Sequence, residues 1–465
     1  MMMNTITSKI VYLLSNCTSL KHIHQIQAQL ILQGLYSNTT IAHHFITASQ
    51  SLGLLNSALA LFTQLHRPHV FICNTLIRAF SHSHIPHTPL YIYTHMHRNC
   101  ILANNYTFPF LLKSLSDSHD LKQAQCVHTH VVKLGHLYDI YVQNSLLDVY
   151  ASCGQMGLCH KVFDEMPQRD VVSWTVLIMG YKNAGKYDAA LMAFEQMQYA
   201  GVVPNHVTMV NALAACANFG ALDMGVWIHD FIKRSGWELD VILGTALIDM
   251  YGKCGRIEDG LCVFESMKEK NVFTWNALIK GLALAKSGEE AVLWFNRMEL
   301  EGFKADEVTL VGVLCACSHS GFVDTGRWIF NSLIGGKYGF SPGVKHYACM
   351  VDLFARAGYL EDAFKFIRDT PFEPTKAMWG SLLAGSRARG NLKFSEFAAW
   401  KLVELEPENS GYYVVLSNLY AEMGRWSDVE KVRIMMKERG LMKDLGCSSV
   451  ELEPQEHVYE LLVAH

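Results

Sequence analysis

VVSWTVLIMGYKNAGKYDAALMAFEQMQYAGVVPN, residues 171–205, returns 101 residues later as VFTWNALIKGLALAKSGEEAVLWFNRMELEGFKAD, residues 272–306. The matches keep one offset: Trp174 with Trp275, Leu177 with Leu278, Ile178 with Ile279, Gly180 with Gly281, Ala190 with Ala291, Phe194 with Phe295, Met197 with Met298 and Gly201 with Gly302. A fainter copy at 70–104 holds Asn74, Leu76, Ile77, Met96 and Asn104. A fixed internal period of this size is the signature of a repeat architecture.

The physics of one copy can be read directly. Leu177, Ile178 and Tyr181 recur at helical spacing. So do Ala190, Leu191, Phe194 and Met197 after a break at Ala184-Gly185-Lys186. Gly201 ends the second helix and Pro204 prevents its continuation. The spacing predicts a helix hairpin with an apolar face on each helix. Alone it cannot bury both faces; stacked on neighbours it can.

Two further unit types fill the gap between copies. Residues 206–240 pair with 105–139 through Thr107/Thr208, Leu112/Leu213, His128/His229, Gly135/Gly236 and Asp139/Asp240. Residues 241–271 pair with 140–170 through Asp148/Asp249, Tyr150/Tyr251, Cys153/Cys254, Gly154/Gly255, Phe163/Phe264 and Met166/Met267. The register extends upstream as 39–69 and 4–38, and downstream as 307–343 and 344–374. Residues 375–408 and 409–445 still read as hairpins. The tail 446–465 is short alternating material, read as a strand or a frayed end.

Composition agrees with a packed chain: 465 residues, 50% hydrophobic and 18% charged. No apolar run approaches the roughly 18 residues that span a bilayer. The 13 cysteines include no C-x-x-C, and several recur with the repeat, as small buried residues do. The reading is reduced, structural thiols. The net charge of −4 excludes a blanket polyanion binder. Yet residues 1–116 contain no Asp or Glu. All 43 acidic residues lie beyond them, whereas Lys9, Lys21, Arg67, Arg78, Arg98 and Lys113 lie within.

The alternation of three unit lengths resembles the plant pentatricopeptide repeat proteins of the triplet class, which alternate standard (P), long (L) and short (S) motifs. The residues that carry the resemblance are VVSWTVLIMGY and AALMAFEQM of 171–205, LIDMYGKCGRIEDG of 247–260 and HYACMVDLFARAGYLEDA of 346–363. MWGSLLAGSRARGN and ELEPENSGYYVVLSNLYAEMGRW are similar to that family's C-terminal extension (E) motifs. The resemblance implies an all-α, right-handed superhelical solenoid of stacked helix-turn-helix repeats. It also implies the units L 4–38, S 39–69, P 70–104, L 105–139, S 140–170, P 171–205, L 206–240, S 241–271, P 272–306, L 307–343 and S 344–374. Extension motifs follow at 375–408 and 409–445.

The family reads single-stranded RNA one base per repeat. By resemblance the readers are the fifth and last residues of a unit, and the second stacks on the base. The implied reading pairs are Asn74/Asn104, Asn144/Asp170, Thr175/Asn205, Thr245/Asn271 and Asn276/Asp306, with Phe71, Tyr141, Val172, Ile242 and Phe273 as stacking residues. The L units carry Pro109, Val210 and Val311 at the fifth position, whose side chains cannot hydrogen-bond a base. A helix cap explains one early Asn or Thr; it does not explain five polar pairs set against apolar L positions. The family's code assigns U to Asn/Asp, C over U to Asn/Asn and A to Thr/Asn. His43/His69 and Ala348/Pro374 depart from it.

No enzyme is expected. The family's deaminase domain needs His-x-Glu and Pro-Cys-x-x-Cys, and neither is present. The pairs His22/His24, His82/His84, His95/His97 and His128/His130 lie about 200° apart on a helix and cannot share an ion. No cofactor is implied. The expected function is site recognition for C-to-U editing of organellar RNA, with a deaminase-bearing member of the family recruited by the apolar faces of Trp379, Leu382, Leu383, Tyr412, Leu416 and Leu419. Alternatives are a splicing or stabilisation factor and, from another class, a protein-binding helical scaffold. The uniform 34-residue period of tetratricopeptide scaffolds does not fit 35/35/31. The expected location is the mitochondrion, with the chloroplast as alternative. The first repeat begins at about Asn4, so no conventional presequence is expected before it; the alternatives are an acid-free start that serves while overlapping a repeat and a sequence truncated at its N-terminus.

Overall fold

The residues spaced for a hairpin in 171–205 form one in the computed structural model. Its helices are Val171–Asn183 and Tyr187–Tyr199. Asp170 caps the first, its carboxylate accepting from the Ser173 N–H at 2.8 Å. Gly201 follows the second at φ 69°, a left-handed position that costs glycine nothing. The copy repeats this with Val272–Leu284 and Gly288–Leu300. One detail differs at the hairpin turn. Gly185 has φ 72°, and its counterpart Lys286 holds φ 60° despite its Cβ. The hairpin geometry dictates the backbone there, and the residue tolerates it.

The structure describes residues 2–35, 38–65, 68–83, 85 and 87–442, without the side chains of 2–6 and 39. Arg67, His84, the last residues of 409–445 and the tail 446–465 lie outside the described residues. Among the described residues there are 26 α-helices and no strand. The fold is an all-α repeat solenoid, and its residues cluster into two units, Met1–Cys254 and Gly255–His465.

Within each unit the first helix of a hairpin packs on the first helix of the next. Phe108–Ser118, Ile140–Ser152, Val171–Asn183, His206–Phe219 and Val241–Lys253 stack in this way in the first unit. Val272–Leu284, Glu307–Ser320, Val344–Ala357 and Lys376–Ala388 do so in the second. The repeated tryptophan is the peg between neighbours. Trp174 meets Phe163 edge-on at 4.6 Å between centroids, and Trp275 meets Phe264 at 4.7 Å. Both tryptophans are buried, as are Leu177, Ile178, Leu278 and Ile279.

The histidines of the long units serve packing. His128 Nδ1 lies 2.8 Å from the Tyr150 hydroxyl, and His229 Nδ1 lies 2.7 Å from that of Tyr251. His130 Nδ1 lies 2.9 Å from the Tyr93 hydroxyl. Burial lowers the pKa of His128 and of His130, the latter also through its neighbours His97 and Lys133. Among the described residues no group of three His, Cys, Asp or Glu is placed to hold a metal ion. The described cysteines are free, and burial pushes Cys73, Cys159, Cys216 and Cys317 up to about 12.

The C-terminal hairpins correct one expectation. Trp379, Leu382, Leu383, Leu416 and Leu419 are buried, and Tyr412 is half-buried with its hydroxyl on Glu406 at 3.2 Å. These apolar faces form the core of the hairpins and offer no open platform. Helical periodicity reports that a face is apolar, not what covers it. The last hairpin docks through Ser410–Glu422 on Leu392–Leu405. A polar chain reinforces that contact: Trp400 Nε1 donates to the Tyr420 hydroxyl at 2.9 Å, Tyr420 to Glu396 at 2.8 Å, and Arg425 reaches Glu396 at 3.1 Å.

Candidate nucleic-acid interface

The last residue of a unit and the first helix of the next are one piece of local structure. Asp170, Asn205, Asn271 and Asp306 are the N-caps of the helices that follow them. Asn205, Asn271 and Asp306 each sit in a capping box with a threonine three residues on, Thr208, Thr274 and Thr309. The cap fixes the last residue's side chain at the start of one helix. The fifth residue reaches it from the preceding hairpin.

The structure joins three of the sequence-derived pairs directly. Asn74 Nδ2 donates to Asn104 Oδ1 at 2.9 Å. Asn276 Nδ2 donates to the Asp306 carboxylate at 3.0 and 3.2 Å. Asn144 Nδ2 reaches the Asp170 carboxylate at 3.2 and 3.4 Å. Thr175 and Asn205 meet through a third residue: the hydroxyls of Thr175 and Thr208 are 2.6 Å apart, and the Thr208 hydroxyl donates to Asn205 Oδ1 at 2.9 Å. Thr245 lies in the helix Val241–Lys253, and Asn271 caps Val272–Leu284.

The long units are wired differently. In 105–139 and 206–240 the last residue turns to the unit's own first residue. Asp139 Oδ2 accepts from Asn105 Nδ2 at 3.0 Å, and His206 Nε2 lies 3.0 Å from Asp240. With Pro109 and Val210 at the fifth position there is no side-chain partner for the carboxylate on that side. The departing short unit differs again: His69 caps Val70–Ser81 through its ring nitrogen, and the His43 ring packs 4.7 Å from Phe71.

Apolar side chains stand three residues before the fifth residue of each pair. Phe71, Val172, Ile242, Phe273 and Tyr141 are exposed, from 45% for Val172 to 72% for Tyr141. Large apolar side chains in water invite a covering partner. Tyr106, Val207 and Val308, the second residues of the long units, are likewise exposed. Sequence reasoning left these out because it tied stacking to polar pairs; their signal is the apolar second position itself. It also missed the hydroxyls of Thr107, Thr208 and Thr309. Thr107/Thr208 is visible as a repeated match, but its place against the preceding unit is a fact of three-dimensional structure.

Comparison with known proteins finds repeat and extension motifs along the chain. The PPR repeat family matches at 169–218 and 270–319, the PPR repeat at 144–171, 245–272 and 346–369, and the E motif at 390–451. A pentatricopeptide repeat-containing protein of Arabidopsis thaliana is 36% identical over 96% of this chain and 90% of its own length. Two others from that plant, one labelled mitochondrial and one chloroplastic, are each 36% identical and are covered over 70% and 75% of their lengths. Among solved structures, the pentatricopeptide repeat protein PPR10 in complex with an 18-nt psaJ RNA element superposes with a TM-score of 0.70 at 16% identity over 90% of this chain. The chain spans 64% of the length of that protein. PPR10 from maize gives a TM-score of 0.51 at 19% identity over 95% of this chain and 74% of its own. With the repeats, the extension motif and relatives matched over 96% or more of the chain in agreement, the chain belongs to the pentatricopeptide repeat family, in its E-motif subgroup.

Proposed function

We propose that this protein binds single-stranded RNA, reading about one base per unit with the paired fifth and last residues while the exposed second residues stack on the bases. One observation carries the reading: linked polar side chains, at 2.9 Å for Asn74/Asn104 and 3.0 Å for Asn276/Asp306, share a helix start with an exposed aromatic, Phe71 and Phe273 respectively. Stacking on such a side chain is sequence-tolerant, and hydrogen bonds from the pair supply the choice. Units 70–374 then prefer, 5′ to 3′, pyrimidine, any, U, A, any, A, U, any, any. The double substitution Asn276→Thr with Asp306→Asn should move the seventh base from U to A. A good bidentate contact discriminates by about 1–3 kcal/mol, a shift that a gel titration at fixed salt resolves. Equal affinity for both RNAs before and after the swap would remove base reading.

The finer reading is selection of a cytidine for C-to-U editing in an organelle, the mitochondrion first and the chloroplast as alternative. The E motif and relatives labelled for either organelle support it. In it the chain is a binding protein without chemistry of its own, and a deaminase-bearing member of the family acts beside residues 375–450. With the apolar faces of these hairpins buried, such a partner would meet their exposed side chains, among them Phe397 and Trp426. Purified protein should convert no cytidine even with zinc supplied. Deleting 375–465 should abolish editing in the organelle while RNA affinity stays within about tenfold. Unaided editing, or editing by the deletion mutant, would sink this reading.

A further inference from the structure

Three of the polar pairs have a third member, and it belongs to the next unit. Thr309 is fully buried, and its Oγ1 lies 2.6 Å from Asn276 Oδ1, 2.9 Å from Asp306 Oδ1 and 3.1 Å from the Asp306 backbone nitrogen. The proton inventory of this cluster is closed. The hydroxyl accepts from the backbone N–H and has one proton to give. Amide and carboxylate oxygens have none, so the Asn276 carbonyl can be satisfied here only as the acceptor of that proton. The amide is thereby held from both sides, Oδ1 on Thr309 and Nδ2 on Asp306. A flipped amide would set oxygen against carboxylate. What Asn276 has left for a ligand is the second N–H of Nδ2 and the other lone pair of Oδ1.

Thr107 repeats this, donating to Asn74 Oδ1 at 2.7 Å while Asn74 Nδ2 donates to Asn104. Thr208 stands in the same place for the Thr175/Asn205 pair, its hydroxyl 2.6 Å from that of Thr175 and 2.9 Å from Asn205 Oδ1. The Asn144/Asp170 pair lacks it. Ser173 stands in the corresponding place, and its hydroxyl donates to the Asp170 backbone carbonyl at 2.8 Å. Asn144 Oδ1 is buried with no hydrogen-bond partner. Its amide is held on one side only.

The sequence carries the same distinction. Thr107, Ser173, Thr208, Thr274 and Thr309 stand three residues beyond Asn104, Asp170, Asn205, Asn271 and Asp306, the last residues of the five polar pairs. Three residues beyond Asp139, Asp240 and Gly343, where the fifth residue is Pro109, Val210 or Val311, stand Val142, Leu243 and His346. A hydroxyl needed only to cap a helix would show no regard for the fifth residue of the unit before.

We propose that the hydroxyl three residues into the following unit is a specificity-determining positioning residue, which fixes the fifth residue's donor and acceptor atoms toward the base. Thr309 locks Asn276, Thr107 locks Asn74, and Ser173 leaves Asn144 free to turn. The proposal rests on the base-reading function above. Two units with the same Asn/Asp pair should then discriminate unequally, the one with Thr309 more sharply than the one with Ser173.

The test uses full-length protein and short synthetic RNAs of the sequence predicted above, varied to U, C, A or G at the third or the seventh base. Wild type should favour U over A more strongly at the seventh base than at the third. Thr309→Val should lower the U-over-A ratio at the seventh base by about fivefold, the worth of one hydrogen bond, about 1 kcal/mol, and leave the third base unchanged. A residue with only a structural role would lower affinity for all four RNAs alike. Ser173→Thr should raise the ratio at the third base by a similar factor. An unchanged ratio in folded Thr309→Val overturns the proposal; if that variant does not fold, an unchanged ratio in Ser173→Thr does so. The Asn276→Thr/Asp306→Asn swap separates the two claims. If the swap moves the preferred base and Thr309→Val leaves the ratio alone, the lock fails and base reading stands. If the swap moves nothing, base reading fails and takes the lock with it.

Discussion

Two hairpins of the second unit, 272–306 and 375–408, share a backbone plan and present opposite surfaces. The first places Phe273 in solvent at the start of its leading helix and Asn276 against Asp306. At the matching positions the second has Lys376, ion-paired to Glu406 at 2.6 Å, and Trp379, which is buried. A solvent-facing ring and a linked amide can take a base. An ion pair beside an indole offers neither a stacking ring in solvent nor a linked amide. The helix hairpin supplies a site for side chains and no function of its own; a few residues at the start of the leading helix decide what the surface does.

The largest effect tests whether both regions are equally packed beneath that surface. Leu278→Ala and Leu416→Ala each remove a fully buried leucine, and each should cost about 2–5 kcal/mol in denaturant unfolding. If Leu416→Ala costs nothing, the C-terminal face is open after all and the comparison breaks. Next comes Phe273→Ala, which should weaken RNA binding by about 1–3 kcal/mol regardless of the base offered. Lys376→Ala should leave it unchanged; equal losses in the two variants would erase the division of labour. A smaller gain is expected at the hairpin turn. Lys286→Gly relieves a left-handed side chain and should stabilise the protein by about 1 kcal/mol, seen as a higher melting temperature with RNA affinity intact.

The smallest effect separates the regions by pH. Burial lowers the pKa of His43, His128, His130 and His346, so these rings are neutral in the fold. Their contribution is complete above the ordinary histidine pKa of about 6.5 and is lost as the pH falls through the lower folded values, because the unfolded chain takes up the proton first. Residues 375–442 contain no histidine. Amide exchange between pH 7 and 5, corrected for intrinsic rates, should show the repeats loosening while Lys376–Ala388 and Ser410–Glu422 hold. Uniform loosening would assign the acid effect elsewhere.

The repeat was legible because its cause is local. Leu177, Ile178, Phe194 and Met197 must face inward at helical spacing, and that spacing is written in the chain. Asn276 and Asp306 were legible only through a family pattern, since nothing local brings residues 30 apart to 3.0 Å. Thr309 escaped for a related reason: its partner Asn276 lies 33 residues back, and a threonine near a helix start already has an explanation as a cap. The faces of Trp379 and Leu416 were misread outward because amphipathicity does not say which neighbour covers a stripe.

The capping boxes at Asn205, Asn271 and Asp306 set the frame in which such a chain can be edited or recombined. The last residue of one unit is the first anchor of the next helix, so a cut made at the unit boundary parts an N-cap from the helix it stabilises. A cassette meant to carry one specificity into another chain should begin before the fifth residue and run three residues past the boundary. The portable element is offset from the 35-residue repeat that names the family.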